Sequence, residues 1–244
     1  MPSKSFQLLS LVTTMLMMSF QTQCKRVPDD SRVLKTLWRA VFLEDNIIDL
    51  PDKYFAVRNP FNESDTLFRF NLTGGKMSMQ YISVVNETKL CKFDPFLHPS
   101  AVCRFSILGA FATYEGKLSY GRPVKDNFTI NITIEKYYES NPVDISGYFN
   151  IIGNTANATL RLVGVAVTEF ISRTTSLPPF EKFTVFEKFN YNETLISKVR
   201  HEFDDFVFRR CKQDMRQQAV EAYTAKMIKA TEAVGTFDST SLLK

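Results

Sequence analysis

NETLISKVRHEFDDFVFRRCKQDMRQQAVEAYTAKMIKATEA, Asn192 to Ala233, contains neither proline nor glycine. Ile196, Val199, Phe203, Phe206, Cys211, Met215, Ala219, Tyr223 and Met227 recur along it at roughly helical spacing. Some 40 helical residues span about 60 Å, far more than an average globular helix, and Gly235 marks the stop. A helix this long must lie along something. The only large apolar surface the chain offers is its own sheet.

That sheet is written upstream in a period of two. In DNFTINITIEKYY, Asp126 to Tyr138, Phe128, Ile130, Ile132 and Ile134 alternate with Asn127, Thr129, Asn131, Thr133 and Glu135. LFRFNLT sets Phe68, Phe70 and Leu72 against Arg69, Asn71 and Thr73, and Gly74-Gly75 reads as a hairpin. KMSMQYISVV continues with Met77, Met79 and Tyr81 and slips phase at Ile82 and Val84, as a bulge does. CRFSILGAF puts Cys103, Phe105, Ile107 and Phe111 on one face; YEGKLSY, DISGYFNII and NATLRLVGVAVTEF alternate again. Residues 67 to 170 thus predict six or seven antiparallel strands. Ahead of them PDDSRVLKTLWRAVFLEDN predicts a helix of about 14 residues, with Asp29, Asp30 or Ser31 as cap and Val33/Leu34, Leu37/Trp38 and Val41/Phe42 as its stripe. LPDKYFAVRNPFNESD reads as a loop or irregular edge. SLPPFEKFTVFEKFNYN breaks the alternation at Pro178-Pro179; its phenylalanines form either a loop packed over a core edge or a lid.

The N-terminus predicts a destination. Lys4 followed by the apolar run FQLLSLVTTMLMMSF fits a secretory signal peptide, residues 1–24. Cleavage is expected after Cys24, and a cut after Gln21 is nearly as good. A single domain follows over 25–235, with a flexible tail at 236–244. Sequons stand at Asn62, Asn71, Asn86, Asn127, Asn131, Asn157 and Asn192. Asn71, Asn127, Asn131 and Asn157 fall on the polar faces of the expected strands, where glycans must sit. A secreted, extracellular glycoprotein is expected. Cys91 and Cys103 flank KFDPFLHPSAV and are expected to staple the mouth of a hairpin. Cys211 pairs with Cys24 if that residue is retained, and is otherwise a free or buried thiol. The net charge of +4 is modest and the cations are scattered, with one short cluster at FRRCK. A nucleic-acid-binding surface wants a continuous basic stripe, so that class is set aside.

The order is short helix, antiparallel meander, long terminal helix: an α+β chain with a curved sheet wrapped around the C-terminal helix. From Asp30 to Ala233, and through the run YEGKLSYG…DNFTINITIEKYY…DISGYFNIIGNTANATLRLVGVAVTEF, the chain resembles the tubular lipid-binding superfamily. Within it the chain resembles the arthropod group 7 mite-allergen-like proteins; takeout, juvenile-hormone-binding and bactericidal/permeability-increasing proteins belong to the same superfamily. The resemblance implies a super-roll whose interior holds a lipid or another apolar ligand, and implies no catalytic residue. It also implies a possible contact with membranes or bacterial lipid, for which the Pro-Pro-Phe segment and FRRCK are the candidates. The many sequons and the Cys91/Cys103 pair depart from the relatives. The disulfide that ties sheet to helix in the bactericidal members has no counterpart here unless another cysteine reaches Cys211.

The chemistry-bearing residues agree with a binding role. His98 and His201 are the only histidines and neither has metal-ligand spacing; no nucleophile elbow or phosphate-cradling loop occurs. No cofactor is expected. Glu202, Asp204 and Asp205 beside His201 read as a solvated helix face. The expected cavity wall is Phe105, Ile107, Phe128, Ile130, Ile132, Ile134, Leu160, Leu162, Phe203 and Phe206, with the β residues facing the last two. The sequence holds 22 phenylalanines and 8 methionines, suited to adaptable apolar walls. Two alternatives compete: a lipocalin-type binder, although Trp38 lacks the Gly-x-Trp opening, and a cargo-free protein that presents only its surface.

Overall fold

The computed structural model describes residues 33, 35–37, 39, 41, 47–61, 66–83, 91–94, 98–121, 125–136, 143–168, 170–176 and 180–239. The signal segment, Cys24, Asn62 and Asn86 lie outside them. So do Pro178 and Pro179.

The described positions between 33 and 41 are helical (α1), and Val33, Leu37 and Val41 are buried, one per turn. Nine strands follow: β1 (Ile47–Leu50), β2 (Lys53–Arg58), β3 (Leu67–Ser83), β4 (Cys91–Asp94), β5 (Ser100–Tyr120), β6 (Lys125–Lys136), β7 (Val143–Asn154), β8 (Asn157–Val167) and β9 (Phe170–Ser176). All their pairings are antiparallel. Two 3₁₀ segments, Phe180–Lys182 and Thr184–Phe189, lead into α2 (Glu193–Phe206), a π-helical turn (Val207–Cys211) and α3 (Lys212–Val234). The expected layout is thus the observed one, a curved sheet around a long C-terminal helix.

β5 is the spine. Its first half pairs with β4 and β7, its second half with β3 and β6, and β9 extends the sheet from β6. β8 pairs with β7 alone among the described strands. A strand that changes neighbours halfway lets the sheet splay and wrap. The same branching rules out the lipocalin alternative, whose barrel joins successive strands in order around one ring.

Several local readings need correction. KYFAVR takes the edge reading rather than the loop, as a regular strand: β2 pairs with Leu67–Leu72 and β1 with Gly75–Ser78, both along β3. Gly74-Gly75 is not a hairpin. It lies inside β3, where Thr73 faces Glu115 and Lys76 faces Thr113, so one extra residue is accommodated as a bulge. Gly74 takes φ +62°, and a Cβ at Gly75 would stand 2.3 Å from the Tyr114 ring and 2.9 Å from Leu50. The left-handed backbone and the pressed ring both require glycine. CRFSILGAF and YEGKLSY are one 21-residue strand. A register shift where Tyr81 faces Gly109 and Ile82 faces Ile107 moves the inward phase, so Ala110 and Ala112 point in and Phe111, 41% exposed, points out. The slip expected at Ile82 is this shift.

The disulfide joins Cys91 to Cys103, directly opposed on β4 and β5. Helix bounds also match: the Asn192 side chain accepts from the Leu195 amide as N-cap, and Gly235 ends α3 with φ +63°. Beyond it, Phe237 exchanges two backbone hydrogen bonds with Ala158, and the Ser239 amide donates to Thr155 at 2.8 Å. The start of the expected tail is therefore docked on the β8 end of the sheet. Residues 240–244 lie outside the description.

Candidate functional site: the apolar interior between helix and sheet

The inward stripe of the helix is Val199, Phe203, Val207, Cys211, Met215, Ala219, Tyr223 and Met227, every fourth residue. Four residues advance a straight α-helix by about 400°, so such a stripe creeps about 40° per step. The π turn takes up an extra residue and shifts the face. Val207, unnamed by the periodic reading, continues the stripe four residues after Phe203 and is buried, while Phe206 is only partly so.

Around α2 the interior is filled with rings. Phe203 contacts Phe70 of β3 at 5.0 Å, Phe180 of the 3₁₀ segment at 5.7 Å, Phe55 of β2 at 5.8 Å and Phe128 of β6 at 5.9 Å, centroid to centroid. Phe206 stacks on Phe55 at 3.8 Å. Phe203 meets Phe128 and Phe180 edge-on, an arrangement aromatic pairs favour, and is tilted against Phe55 and Phe70. The segment after Pro179 is thus packed over the core edge: Phe180, Phe183, Val185 and Phe186 are buried. Its position is fixed by Asp126 at the start of β6, whose carboxylate accepts from the Thr184 amide (2.9 Å), the Thr184 hydroxyl (2.8 Å) and the Val185 amide (2.9 Å). Arg200 of α2 adds an ion pair to Glu181 at 2.7 Å.

Around α3 the filling differs. Met215, Ala219, Tyr223, Met227 and Ala230 face the sheet, chiefly β8 and β1. Gly147 on β7 is the floor under Met227: a Cβ there would lie 2.6 Å from the methionine sulfur. The Tyr114 and Tyr223 hydroxyls are buried without a hydrogen-bond partner, on residues only 1% exposed. Burial pushes both phenols well above their usual range, Tyr114 further through Cys211 and Asp214 nearby. The Cys211 thiol is free among the described residues, and burial pushes it up to about 12. Lys53 of β2 pairs with Asp214 of α3 above it.

Of the ten expected wall residues, Phe128, Ile130, Ile132 and Ile134 are buried along β6 and Phe105 and Ile107 along β5. Phe128, Phe203 and Phe206 meet in the ring cluster. Leu160 and Leu162 stand apart from them, on β8, which packs along α3. The expected wall omitted Phe55, Phe70, Tyr114 and Tyr223, although Phe70 and Tyr223 stood in the expected apolar stripes. Phe55 and Phe70 had a signal in alternation; an unpartnered hydroxyl has none. Of the described sequon asparagines, Asn127, Asn157 and Asn192 are exposed and Asn71 and Asn131 partly buried.

Outside the interior, an open groove of about 750 Å³ runs between β8 and the π turn and α3, lined by Val165, Val167, Phe208, Arg209, Lys212, Arg216 and Val220 among others. FRRCK thus contributes one wall of a groove.

No protein-family model and no curated protein matches this sequence. Among solved structures, a crystal structure of lipopolysaccharide binding protein matches with a TM-score of 0.36 and 11% identity, over 75% of this chain and 38% of that one. The chain therefore spans well under half the length of that protein. A likeness at this level says nothing of what the present chain binds.

Proposed function

We propose that the protein is a secreted glycoprotein, not an enzyme, that carries a lipid or another small apolar ligand between α3 and the sheet. The observation that carries this reading is that the buried Tyr114 and Tyr223 hydroxyls, by the methionine end, lack partners among the described residues; Tyr120 and Ser78 carry further unpartnered hydroxyls elsewhere in the core. A buried hydroxyl without a partner costs about 1–3 kcal/mol, and a polar group of a bound molecule relieves it. The methionine wall supports the same reading, because unbranched thioether side chains accommodate flexible cargo. Burying about 12 methylenes gives on the order of 10 kcal/mol before association costs. The signal-like N-terminus and the seven sequons support the secretory route. The order of elements supports kinship with the group 7 mite-allergen-like and takeout proteins, at the level of the tubular lipid-binding superfamily.

The test is organic extraction and mass spectrometry of the protein purified from a eukaryotic secretion host, with glycosidase treatment in parallel. Stoichiometric lipid, lost in a Tyr114→Phe/Tyr223→Phe variant or exchanged for a less polar species, is the expected result. A clean protein that also refuses a fluorescent lipid probe would overturn it. The second reading, a filled core that presents only its surface, draws on the ring contacts around Phe203 and would then stand.

A further inference from the structure

The groove between β8 and α3 has a chemistry the interior lacks. Arg209, Lys212 and Arg216 lie three and four residues apart, so they share one helix face, and all three line it. Arg209 pairs with Asp205 at 2.8 Å, Lys212 lies 5.7 Å from the Phe208 ring, and Arg216 has no acidic partner among the described residues. Glu221, the one acid lining the groove among the described residues, accepts from Gln217 and Gln218 on its two oxygens. Opposite stand Val165, Ala166 and Val167 of β8, with Val220 between the cations and the strand. Phe208 is 42% exposed here, and Val163, the residue bulged out of the β7–β8 register, is 63% exposed just beyond the lining. Val167 belongs to the core, so the apolar floor runs into the body of the protein.

A cationic helical rim above an apolar strand floor selects a molecule with two ends. A neutral lipid draws nothing from the positive rim; a free anion leaves the valines and Phe208 in water. We infer that this groove binds the acidic head and first methylenes of a single-chain amphiphile, with the carboxylate or phosphate on Arg209, Lys212 and Arg216 and the chain along Val165, Val167 and Val220. The volume falls within the range of small-ligand sites. The site is separate from the interior proposed above and stands or falls independently of it.

The test titrates the whole secreted protein, stripped of co-purified lipid on a hydrophobic resin, with dodecanoate, dodecyl phosphate and dodecanol. The acids should bind about tenfold more tightly than the alcohol, and the preference should fall with salt. In R209Q/K212Q/R216Q, changed only at solvent-accessible positions, the preference should vanish while the alcohol affinity stays. Val220→Trp, which fills the floor, should weaken all three. Equal affinity of acid and alcohol for the wild type, or a preference that survives the triple variant, overturns the proposal. Capture by phosphatidylglycerol vesicles without uptake of the monomers also overturns it, in favour of a membrane surface. Dodecanoate against dodecyl phosphate distinguishes the carboxylate from the phosphate source. Loss of interior lipid with retained acid preference would count against the cargo reading alone.

Discussion

α2 and α3 run along one sheet in one nearly continuous helix, yet they pack by different means. α2 closes on four phenylalanines from three strands and a 3₁₀ segment, each ring held by others. α3 closes on methionine, alanine and a single tyrosine. Interlocked rings have few alternative rotamers and leave a defined void when one is lost; thioether chains re-fold into the space. One end of the interior therefore fixes the fold, and the other is the end able to yield to a guest.

The largest expected effect tests the rigid end. Phe203→Ala removes the ring that four others touch and should cost about 3–5 kcal/mol in urea unfolding. Met227→Leu, at the yielding end, should cost less than about 1.5 kcal/mol. Equal costs would erase the distinction between the two ends. Next, Cys91→Ser/Cys103→Ser opens a short hairpin loop whose Cys103 lies opposite Gly147, the floor under Met227, and should cost about 3 kcal/mol in the same unfolding. Asp126→Ala leaves two backbone amides and a hydroxyl of the 3₁₀ segment without their carboxylate. It should cost about 1.5–3 kcal/mol and raise proteolysis around Thr184, and it sharpens the comparison because only the ring end depends on that clasp.

Much of this was legible in the sequence, for a physical reason. Where one face of an element is buried, periodicity is enforced residue by residue; hence Phe128 to Ile134, Phe68 to Leu72, and the helix from Asn192 to Gly235. What was not legible depends on residues distant in sequence. A Gly-Gly pair provides positive φ for a hairpin or for a bulge, and the choice is made by the Tyr114 ring pressing on Gly75. Pro51 and Pro60 bracket β2, which read as a loop or irregular edge; as an edge strand against β3 it tolerates nearby prolines. The phase of Phe111 turned on a shift shared with β3. Of the ten expected wall residues eight are buried and Phe206 and Leu162 partly so, but their division between a ring end and a methionine end was not readable, because it depends on which strand meets which half of the helix.

The smallest effect lies at the junction of the two ends. Asp204 closes α2 beside Phe203, and one of its carboxylate oxygens is buried without a partner. Burial holds this carboxyl above the usual carboxylate range, against the opposing pull of Arg200 and His201. A raised value in the folded state means the folded chain keeps a proton that the unfolded chain has released. Stability is therefore fully present below the unfolded value and declines as pH rises through the raised one. Asp204→Asn removes that titration while keeping the shape. Unfolding midpoints of the two proteins, measured from about pH 4 to about pH 7, should converge at the acid end and separate toward neutrality, with the variant the more stable. A constant offset would mean that the carboxylate is satisfied in solution. A difference of the opposite sign would mean that Arg200 outweighs burial, and that the junction is held by charge rather than packed like its neighbours.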